Sequence, residues 1–187
     1  MQRDIDRVLV SADRIAQRVR ALGEQITCDH LSATESHPAP LTIVPIMTGA
    51  MIFCGDLIRN MPVPMKISAI TVRSYPGSSI RSQGAKLLGQ SIGDLTGRHV
   101  LLVDDILDSG GTLRLIVPML HELGADDVKT CVLLRKDTAS ARAVTADYVG
   151  FDIPDEFVVG YGLDYDDYYR NLPDIVTLKA EVIAASK

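Results

Sequence analysis

The stretch "VLLVDDILDSGGTL", residues 100–113, decides the fold class. It begins with an apolar run, which is typical of a strand buried on both faces of a parallel sheet. Asp104 and Asp105 follow at the predicted end of that strand, and the small residues 109–112 predict a tight turn that leads into a helix. A strand, a glycine turn and a helix in this order indicate one unit of an α/β domain.

The same stretch predicts a ligand site. Ligands of open parallel sheets bind outside the carboxyl ends of the strands, and backbone N–H groups at the start of a helix bind anions. The hydroxyls of Ser109 and Thr112 add donors, so a phosphate is the expected anion. Because Asp104, Asp105 and Asp108 would repel a bare phosphate, we expect a phosphorylated sugar, with the carboxylates facing its hydroxyls and holding Mg²⁺.

Apolar patterns elsewhere predict a mostly parallel sheet covered by helices on both faces. Apolar residues spaced by three or four positions predict an amphipathic helix over 5–26, and the polar stretch 27–40 predicts a loop. The other predicted elements are strands over 41–47, 64–75, 99–103 and 128–134, helices over 49–60 and 112–123, and a Gly- and Ser-rich mobile loop over 76–84.

The composition argues against several classes of protein. The net charge is −5 and the densest charge is acidic, at 164–169, so a nucleic-acid-binding face has no electrostatic support. The three cysteines are far apart and form no CxxC pair, which indicates reduced thiols and a cytoplasmic location. The charged N-terminus does not look like a signal peptide, and the apolar stretch 41–55 is shorter than the ~20 residues that span a bilayer.

Aromatic residues cluster near the C-terminus. Seven of the nine aromatic side chains fall within 148–169, in an irregular segment of short strands and turns. A flat heterocyclic ligand needs a stacking partner, so this segment is a candidate binding hood. We therefore divide the single domain into a core, about residues 1–147 plus 175–187, and a small irregular hood, about residues 148–174.

These segments resemble one enzyme family. The 100–113 stretch is similar to the phosphoribosyl-pyrophosphate signature of the type I phosphoribosyltransferases. The strings "VGFDIPDEFVVGYGLDYDDYYRNLP" (149–173), "LLRKDT" (133–138) and "VRSYPGS" (72–78) resemble those of the hypoxanthine-guanine phosphoribosyltransferases. The resemblance spans about residues 41–178. It implies the type I phosphoribosyltransferase fold, transfer of 5-phosphoribose to a 6-oxopurine with release of pyrophosphate, a product of IMP or GMP, and a homodimer or homotetramer.

By this resemblance, the sugar-phosphate end of the site lies at the glycine turn. Asp104 and Asp105 would bind the ribose hydroxyls and Mg²⁺. Asp108 would face N7 of the purine as the general base. The cradle for the 5-phosphate would be Asp108 with Ser109, Gly110, Gly111 and Thr112.

The resemblance places the purine in the hood. Lys136 would donate a hydrogen bond to the 6-oxo group, Phe157 would stack on the ring, and the backbone at Val158 would read its edge. Ser74 and Tyr75 would belong to a mobile loop that closes over the reacting centre and keeps water from it.

The pyrophosphate end carries one departure from the family. Asp164 would hold a second Mg²⁺, Arg170 would contact the pyrophosphate, and the backbone of Thr48 and Gly49 would bind it too. The family usually has a lysine, next to an unusual non-proline cis peptide, where this chain has Thr48, so the contribution of that lysine is lost. A second departure is Asp104, where this branch commonly has glutamate.

Other functions stay open at this stage. A xanthine-preferring enzyme is compatible with every residue named above, whereas adenine is disfavoured because its 6-amino group offers Lys136 no acceptor. An RNA-binding attenuation regulator on the same scaffold would need a basic face, which a net charge of −5 argues against. A degenerate nucleotide sensor would be expected to lose Asp108 or Lys136, and both are present.

Overall fold

The computed structural model describes residues 1–34, 39–72 and 92–184. In chain order, after a short 3-10 turn, the elements are β1 (Ile5–Val10), α1 (Ala12–Thr34), β2 (Leu41–Met47), α2 (Met51–Ile58), β3 (Met65–Ile67), β4 (Ile70–Thr71), β5 (His99–Leu107), α3 (Gly111–Glu122), β6 (Asp127–Lys136), α4 (Ala139–Arg142), β7 (Tyr148–Ile153), β8 (Val158–Val159), β9 (Ile175–Leu178) and α5 (Ala180–Ala184). Within these ranges, no helix combines the length and the apolar character needed to cross a membrane.

The main sheet is parallel and runs β3-β2-β5-β6-β7, with β4 also paired to β2. Its central strands contain apolar runs, residues 100–103 in β5 and 131–134 in β6, that are buried because both faces of the sheet are covered. Helices α1 and α2 cover one face through side chains such as Leu22 and Phe53, and α3 covers the other through Ile116 and Leu120. The predicted fold class, a mostly parallel sheet flanked by helices, is confirmed.

The strand β5 is longer than predicted, and this creates the cleft. The prediction ended the strand at Val103, but pairing with β6 continues to Leu107, opposite Arg135. Pairing with β2 stops at Pro45 and Val103. Beyond Val103, β5 therefore has a strand neighbour on one side only, so Asp104 and Asp105 lie within the strand and border an open groove.

The N-terminal prediction was wrong in its boundaries. Residues 5–10 form a strand because they pair antiparallel with β9, a partner that is distant in sequence. The helix begins at Ala12 and continues to Thr34, so most of the predicted 27–40 loop is helical. The sequence has neither glycine nor proline between Gly23 and Pro38, so the helix meets no breaker there.

A second, antiparallel sheet, β1-β9-β8, lies beside the main one. Its core contains Val159, Leu172 and Val176. Residues 148–153, placed in the predicted hood, form the edge strand of the main sheet, and residues 5–10 and 175–178, placed in the predicted core, form two strands of the small sheet. Within the predicted strand 64–75, the structure has two short strands, β3 and β4, and residues 73–75 and the predicted loop 76–84 lie outside the described residues.

Candidate active site

A cavity of about 380 Å³ lies at the carboxyl edge of the main sheet. It gathers most of the predicted site residues from β2, β5, the turn before α3, and the hood. Those that line it are Thr48, Gly49, Asp104, Asp105, Asp108, Ser109, Gly110, Thr112, Asp164 and Arg170. Ser74 and Tyr75 lie outside the described residues.

A buried carboxylate, Asp104, and a half-buried one, Asp105, form the floor of the cavity. Asp104 is only 6% exposed. Its burial and the neighbouring charge of Asp105 hold its pKa well above the usual range. Burial also raises the pKa of Asp105, against backbone hydrogen bonds and the charge of Arg170. In the described part of the chain neither carboxylate forms an ion pair, so this pair suits a cation.

The donor set fits Mg²⁺ better than a metal held by protein groups alone. Among the described residues, no group of three or more His, Cys, Asp or Glu side chains is arranged to hold a metal ion. Mg²⁺ is usually bound by one or two carboxylates together with waters and substrate phosphate oxygens. Asp104 and Asp105 provide that partial set.

Gly49 and Gly162 allow three elements to meet at this floor. A Cβ atom at Gly49 would lie 1.8 Å from Oδ2 of Asp105, and one at Gly162 would lie 2.2 Å from the carbonyl oxygen of Gly49. Gly162 also has a φ of +105°, which disfavours any other residue. The peptide between Met47 and Thr48 is cis. The loop after β2, the strand β5 and the hood are therefore in direct contact.

The turn after β5 has the geometry of an anion cradle. Gly110 adopts φ +76°, and a Cβ there would meet Cγ2 of Val144 at 2.3 Å. The 12-residue helix α3 begins at Gly111. Its first N–H groups have no acceptor within the helix, because such acceptors lie four residues earlier in the chain. The N–H of Gly111 donates to Oγ of Ser109 at 3.4 Å, and Oγ1 of Thr138 donates to the carbonyl of Asp108 at 3.2 Å.

Lys136 connects this turn to the hood. Its Nζ lies 3.2 Å from Oδ2 of Asp108 and 3.1 Å from Oδ1 of Asp155. Burial disfavours the lysine charge, but hydrogen bonds and the charges of Asp155 and Asp108 outweigh it and raise the pKa of Lys136. Sequence reasoning missed Asp155. The only available signal was an acidic residue inside the family-like string "DIPDEF", with no motif to give it a role.

Phe157 presents an aromatic ring to solvent. The side chain is 46% exposed. Its ring packs edge-to-face with that of Tyr165, with ring centroids 5.5 Å apart and an interplanar angle of 78°. The hydroxyl of Tyr165 donates to the carbonyl of Ile183 in α5 at 2.9 Å. The next residue, Val158, is buried and pairs with Thr177 in the small sheet.

Asp164 and Arg170 are paired with each other. Nη1 of Arg170 lies 2.8 Å from Oδ1 of Asp164 and donates to the carbonyl of Gly162 at 2.9 Å. Nη2 of Arg170 lies 2.9 Å from Oδ1 of Asp167, a residue that sequence reasoning did not single out. Binding of either predicted ligand, a metal at Asp164 or a pyrophosphate at Arg170, would compete with this ion pair.

Comparison with known proteins agrees with this geometry. The chain matches the family model "Phosphoribosyl transferase domain" over residues 10–166. It is 41% identical to the hypoxanthine-guanine phosphoribosyltransferase of Mycobacterium tuberculosis, over 96% of this chain and 89% of that protein.

Solved structures give the same result. A hypoxanthine phosphoribosyltransferase from Staphylococcus aureus superposes with a TM-score of 0.87 and 36% identity, covering 97% of this chain and 96% of that one. A variant of the Trypanosoma cruzi enzyme in complex with its product IMP gives a TM-score of 0.88 and 34% identity, covering 98% and 95%. The fold and the cavity thus define a type I phosphoribosyltransferase. The chain belongs to that family, in its hypoxanthine-guanine branch.

Proposed function

We propose that this protein transfers 5-phosphoribose from phosphoribosyl pyrophosphate to N9 of hypoxanthine or guanine, in a Mg²⁺-dependent reaction of purine salvage. The products are IMP or GMP and pyrophosphate. One observation carries the proposal: the ion pair between Asp108 and Lys136, 3.2 Å long. It joins the carboxylate expected to face N7 with the amine expected to face the 6-oxo group, directly beside the glycine turn.

The glycine turn would hold the sugar phosphate. Ser109, Gly110, Gly111 and Thr112, together with the backbone of Asp108, would bind the 5-phosphate through N–H groups and hydroxyls at the start of α3. The substrate would then lie across the end of β5. This position brings the ribose hydroxyls to Asp104 and Asp105, which accept hydrogen bonds from them.

The carboxylates on the floor of the cavity would also hold the metal. Asp104 and Asp105 would be ligands on the sugar side, and Asp164 would be a ligand on the pyrophosphate side. Bound Mg²⁺ neutralises the charge of the pyrophosphate and so makes it a better leaving group. Arg170 would turn from Asp164 to the pyrophosphate, and the backbone N–H groups of Thr48 and Gly49 would bind it from the other side.

The hood would bind and orient the purine. Phe157 would stack on the ring, the backbone of Val158 would contact its edge, and Lys136 would donate to O6. As the bond between C1′ and the pyrophosphate oxygen breaks, N9 attacks C1′ and Asp108 takes the proton from N7. Ser74 and Tyr75 are proposed to cover the reacting carbon and keep water out.

Assembly and location follow the same reasoning. We infer a homodimer or homotetramer from the family. The described cysteines Cys28, Cys54 and Cys131 are all free thiols, which suits the reducing cytoplasm in which we propose that the enzyme works.

A spectrophotometric assay with phosphoribosyl pyrophosphate, Mg²⁺ and each of four purines tests the function. We expect hypoxanthine and guanine to be converted, adenine to be inert, and a chelator to abolish activity; the outcome with xanthine determines how strictly the 2-position is read. Asp108→Asn should lower kcat by about 10²-fold or more, because it removes the base. Binding of phosphoribosyl pyrophosphate, measured by calorimetry, should persist. Conversion of adenine at the same rate as hypoxanthine would contradict the role of Lys136.

A further inference from the structure

We propose that Asp155 is a positioning residue that holds Lys136 in place and keeps it charged, and so helps to set the preference for 6-oxopurines. The inference rests on the proposed function, in which Lys136 reads O6. It adds a residue from the hood loop to the set that determines the base specificity.

The position of Asp155 is determined by bonds on both sides of it. It lies in the loop between β7 and β8. Before it, the carbonyl of Ile153 accepts a hydrogen bond from the N–H of Asp137, 2.8 Å away, next to Lys136 itself. After it, Glu156 is paired with Arg7 of β1. The loop is thus tied to the end of β6 and to the small sheet, so the carboxylate meets the lysine without a large rearrangement.

The role of Asp155 follows from the number of hydrogen-bond donors on the ammonium group of Lys136. A lysine ammonium has three N–H donors and no acceptor. In the structure one donor faces Asp108 and one faces Asp155. The third remains for the 6-oxo group. Two fixed acceptors on one ammonium restrict its direction, which a single flexible contact would not do.

Asp155 also keeps a compensating charge beside the lysine during the reaction. When Asp108 accepts the purine proton it loses its negative charge, and Asp155 remains as the anionic partner. The lysine side chain is only 13% exposed, so the loss of both partners would favour the neutral amine. A neutral amine has a lone pair and can accept a hydrogen bond from a 6-amino group, which a charged ammonium rejects.

The charged side chains next to Lys136 in the sequence form ion pairs with other residues. On the same strand, Arg135 is paired with Asp152, and after the strand Asp137 is paired with Arg142. Among the described residues, the charged groups that face Lys136 are therefore Asp108, from the turn before α3, and Asp155, from the hood loop. Replacing Asp155 should therefore change the environment of Lys136 and leave these neighbouring ion pairs intact.

Asp152 supplies a matched control. Asp152 and Asp155 are both aspartates with side chains 63% exposed, and each pairs with a basic residue at the end of β6. The first pairs with Arg135 and the second with Lys136. Asp155→Asn and Asp152→Asn therefore remove the same charge from equally exposed positions, and only the first acts on the base-reading lysine.

Steady-state kinetics of the whole enzyme tests the inference. We expect Asp155→Asn to raise the KM for hypoxanthine and guanine by roughly fivefold to thirtyfold, as for loss of a charge-assisted hydrogen bond. The KM for phosphoribosyl pyrophosphate and the melting temperature should stay at the wild-type values. Asp155→Glu should recover part of the loss, and Asp152→Asn should behave as wild type.

The pH profile separates positioning from simple structural damage. Lys136 must be protonated to donate to O6, so kcat/KM for the base falls as pH rises through the lysine pKa. Removing the Asp155 carboxylate lowers that pKa, and the alkaline limb of the profile should move to lower pH. The free purine has the same pKa in both assays, so a difference between the pH profiles of the wild type and Asp155→Asn comes from the protein. Titration of Lys136 by NMR of ¹³Cε-labelled lysine should show the same shift without turnover.

Three outcomes would overturn the inference. The first is that Asp155→Asn matches wild type in KM and pH profile. The second is that Asp152→Asn reproduces its defect, and the third is that the defect extends equally to phosphoribosyl pyrophosphate. Failure of the wild-type enzyme to convert any 6-oxopurine would instead overturn the proposed function, and the inference with it. The two failures are therefore distinguishable.

Discussion

At the scale of single residues, the site contains two adjacent carboxyl groups in an environment that disfavours their charged forms. Asp104 and Asp105 are consecutive carboxylates in the middle of a sheet, and burial raises the pKa of both. Such an arrangement destabilises the ligand-free protein and is compensated when a cation binds. We therefore propose that their placement favours ligand binding at the expense of the stability of the empty enzyme.

Neutralising one of these carboxylates should stabilise the empty enzyme. In Mg²⁺-free buffer at neutral pH, we expect Asp104→Asn to raise the free energy of unfolding by about 1 kcal/mol, because the cost of burying an ionisable carboxyl group beside Asp105 is removed while an oxygen remains to accept the N–H of Asp105. Urea unfolding measures this change, and activity should fall. The exposed Asp126→Asn is the control, with little change in either quantity. A clear loss of stability in Asp104→Asn would contradict this account.

At the scale of elements, the cleft exists because neighbouring strands end at different levels. The strand β2 stops early, its following loop turns into α2, and β5 continues along β6. Gly49 lies where this loop crosses the end of β5, and the hood packs on its carbonyl through Gly162. The geometry of the catalytic floor thus depends on close backbone contact between elements.

A side chain at position 49 should disrupt this contact. Gly49→Ala would place a methyl group 1.8 Å from Oδ2 of Asp105, so the carboxylate or the loop must move. We expect at least a tenfold loss of kcat/KM, since displacements of ~1 Å at a catalytic site cost up to about 10²-fold.

Gly55→Ala is the matched control for this change. Gly55 lies in α2, and apart from its chain neighbours and the backbone of its own helix, a Cβ there meets no described atom within 4 Å. Alanine should leave the activity unchanged and stabilise the helix by roughly 0.5–1 kcal/mol. Kinetics and thermal melts of both variants test the comparison. Normal activity of Gly49→Ala would mean that the floor is less tightly packed than the structure indicates.

At the scale of the whole molecule, the proposed ligand would contact both the main sheet and the hood, which together line one cavity. The glycine turn follows a strand of the main sheet, and Phe157 and Arg170 lie in the hood. We expect metal binding to be shared with the substrate, because the paired carboxylates Asp104 and Asp105 are only a partial set of ligands for a metal ion among the described residues. Mg²⁺ and the sugar diphosphate are therefore expected to bind cooperatively.

Thermal stability should report this cooperation. Phosphoribosyl pyrophosphate with Mg²⁺, at about 100 times its Kd, should raise the melting temperature by roughly 5–10 °C. Either component alone should have a much smaller effect, and Asp105→Asn should reduce the combined shift. A full shift with Mg²⁺ alone, measured by differential scanning fluorimetry, would indicate a metal site that needs no substrate.

Local patterns were sufficient to predict the central part of this molecule. The strand Leu41–Met47 and the helix that starts at the glycine turn were predicted to within one residue, because a buried strand and a helix start are encoded by adjacent residues. The glycine turn and its acidic neighbours belong to the same short stretch, residues 100–113. The assignment of roles to Lys136 and Phe157 needed the family resemblance, because nothing local distinguishes them from ordinary residues.

The amino-acid sequence by itself determined the parallel core and the glycine turn at 109–112, on which the proposed anion site rests, because each depends on neighbours within a few positions. The tertiary structure alone decided that residues 5–10 form a strand, that β5 continues past its carboxylates, and that Asp155 meets Lys136. In each of these cases the partner is remote in sequence: β9 for the first strand, the far end of β6 for the second, and the hood loop for the lysine. A contact between distant segments leaves no periodic pattern in either one, so only the folded chain reveals it.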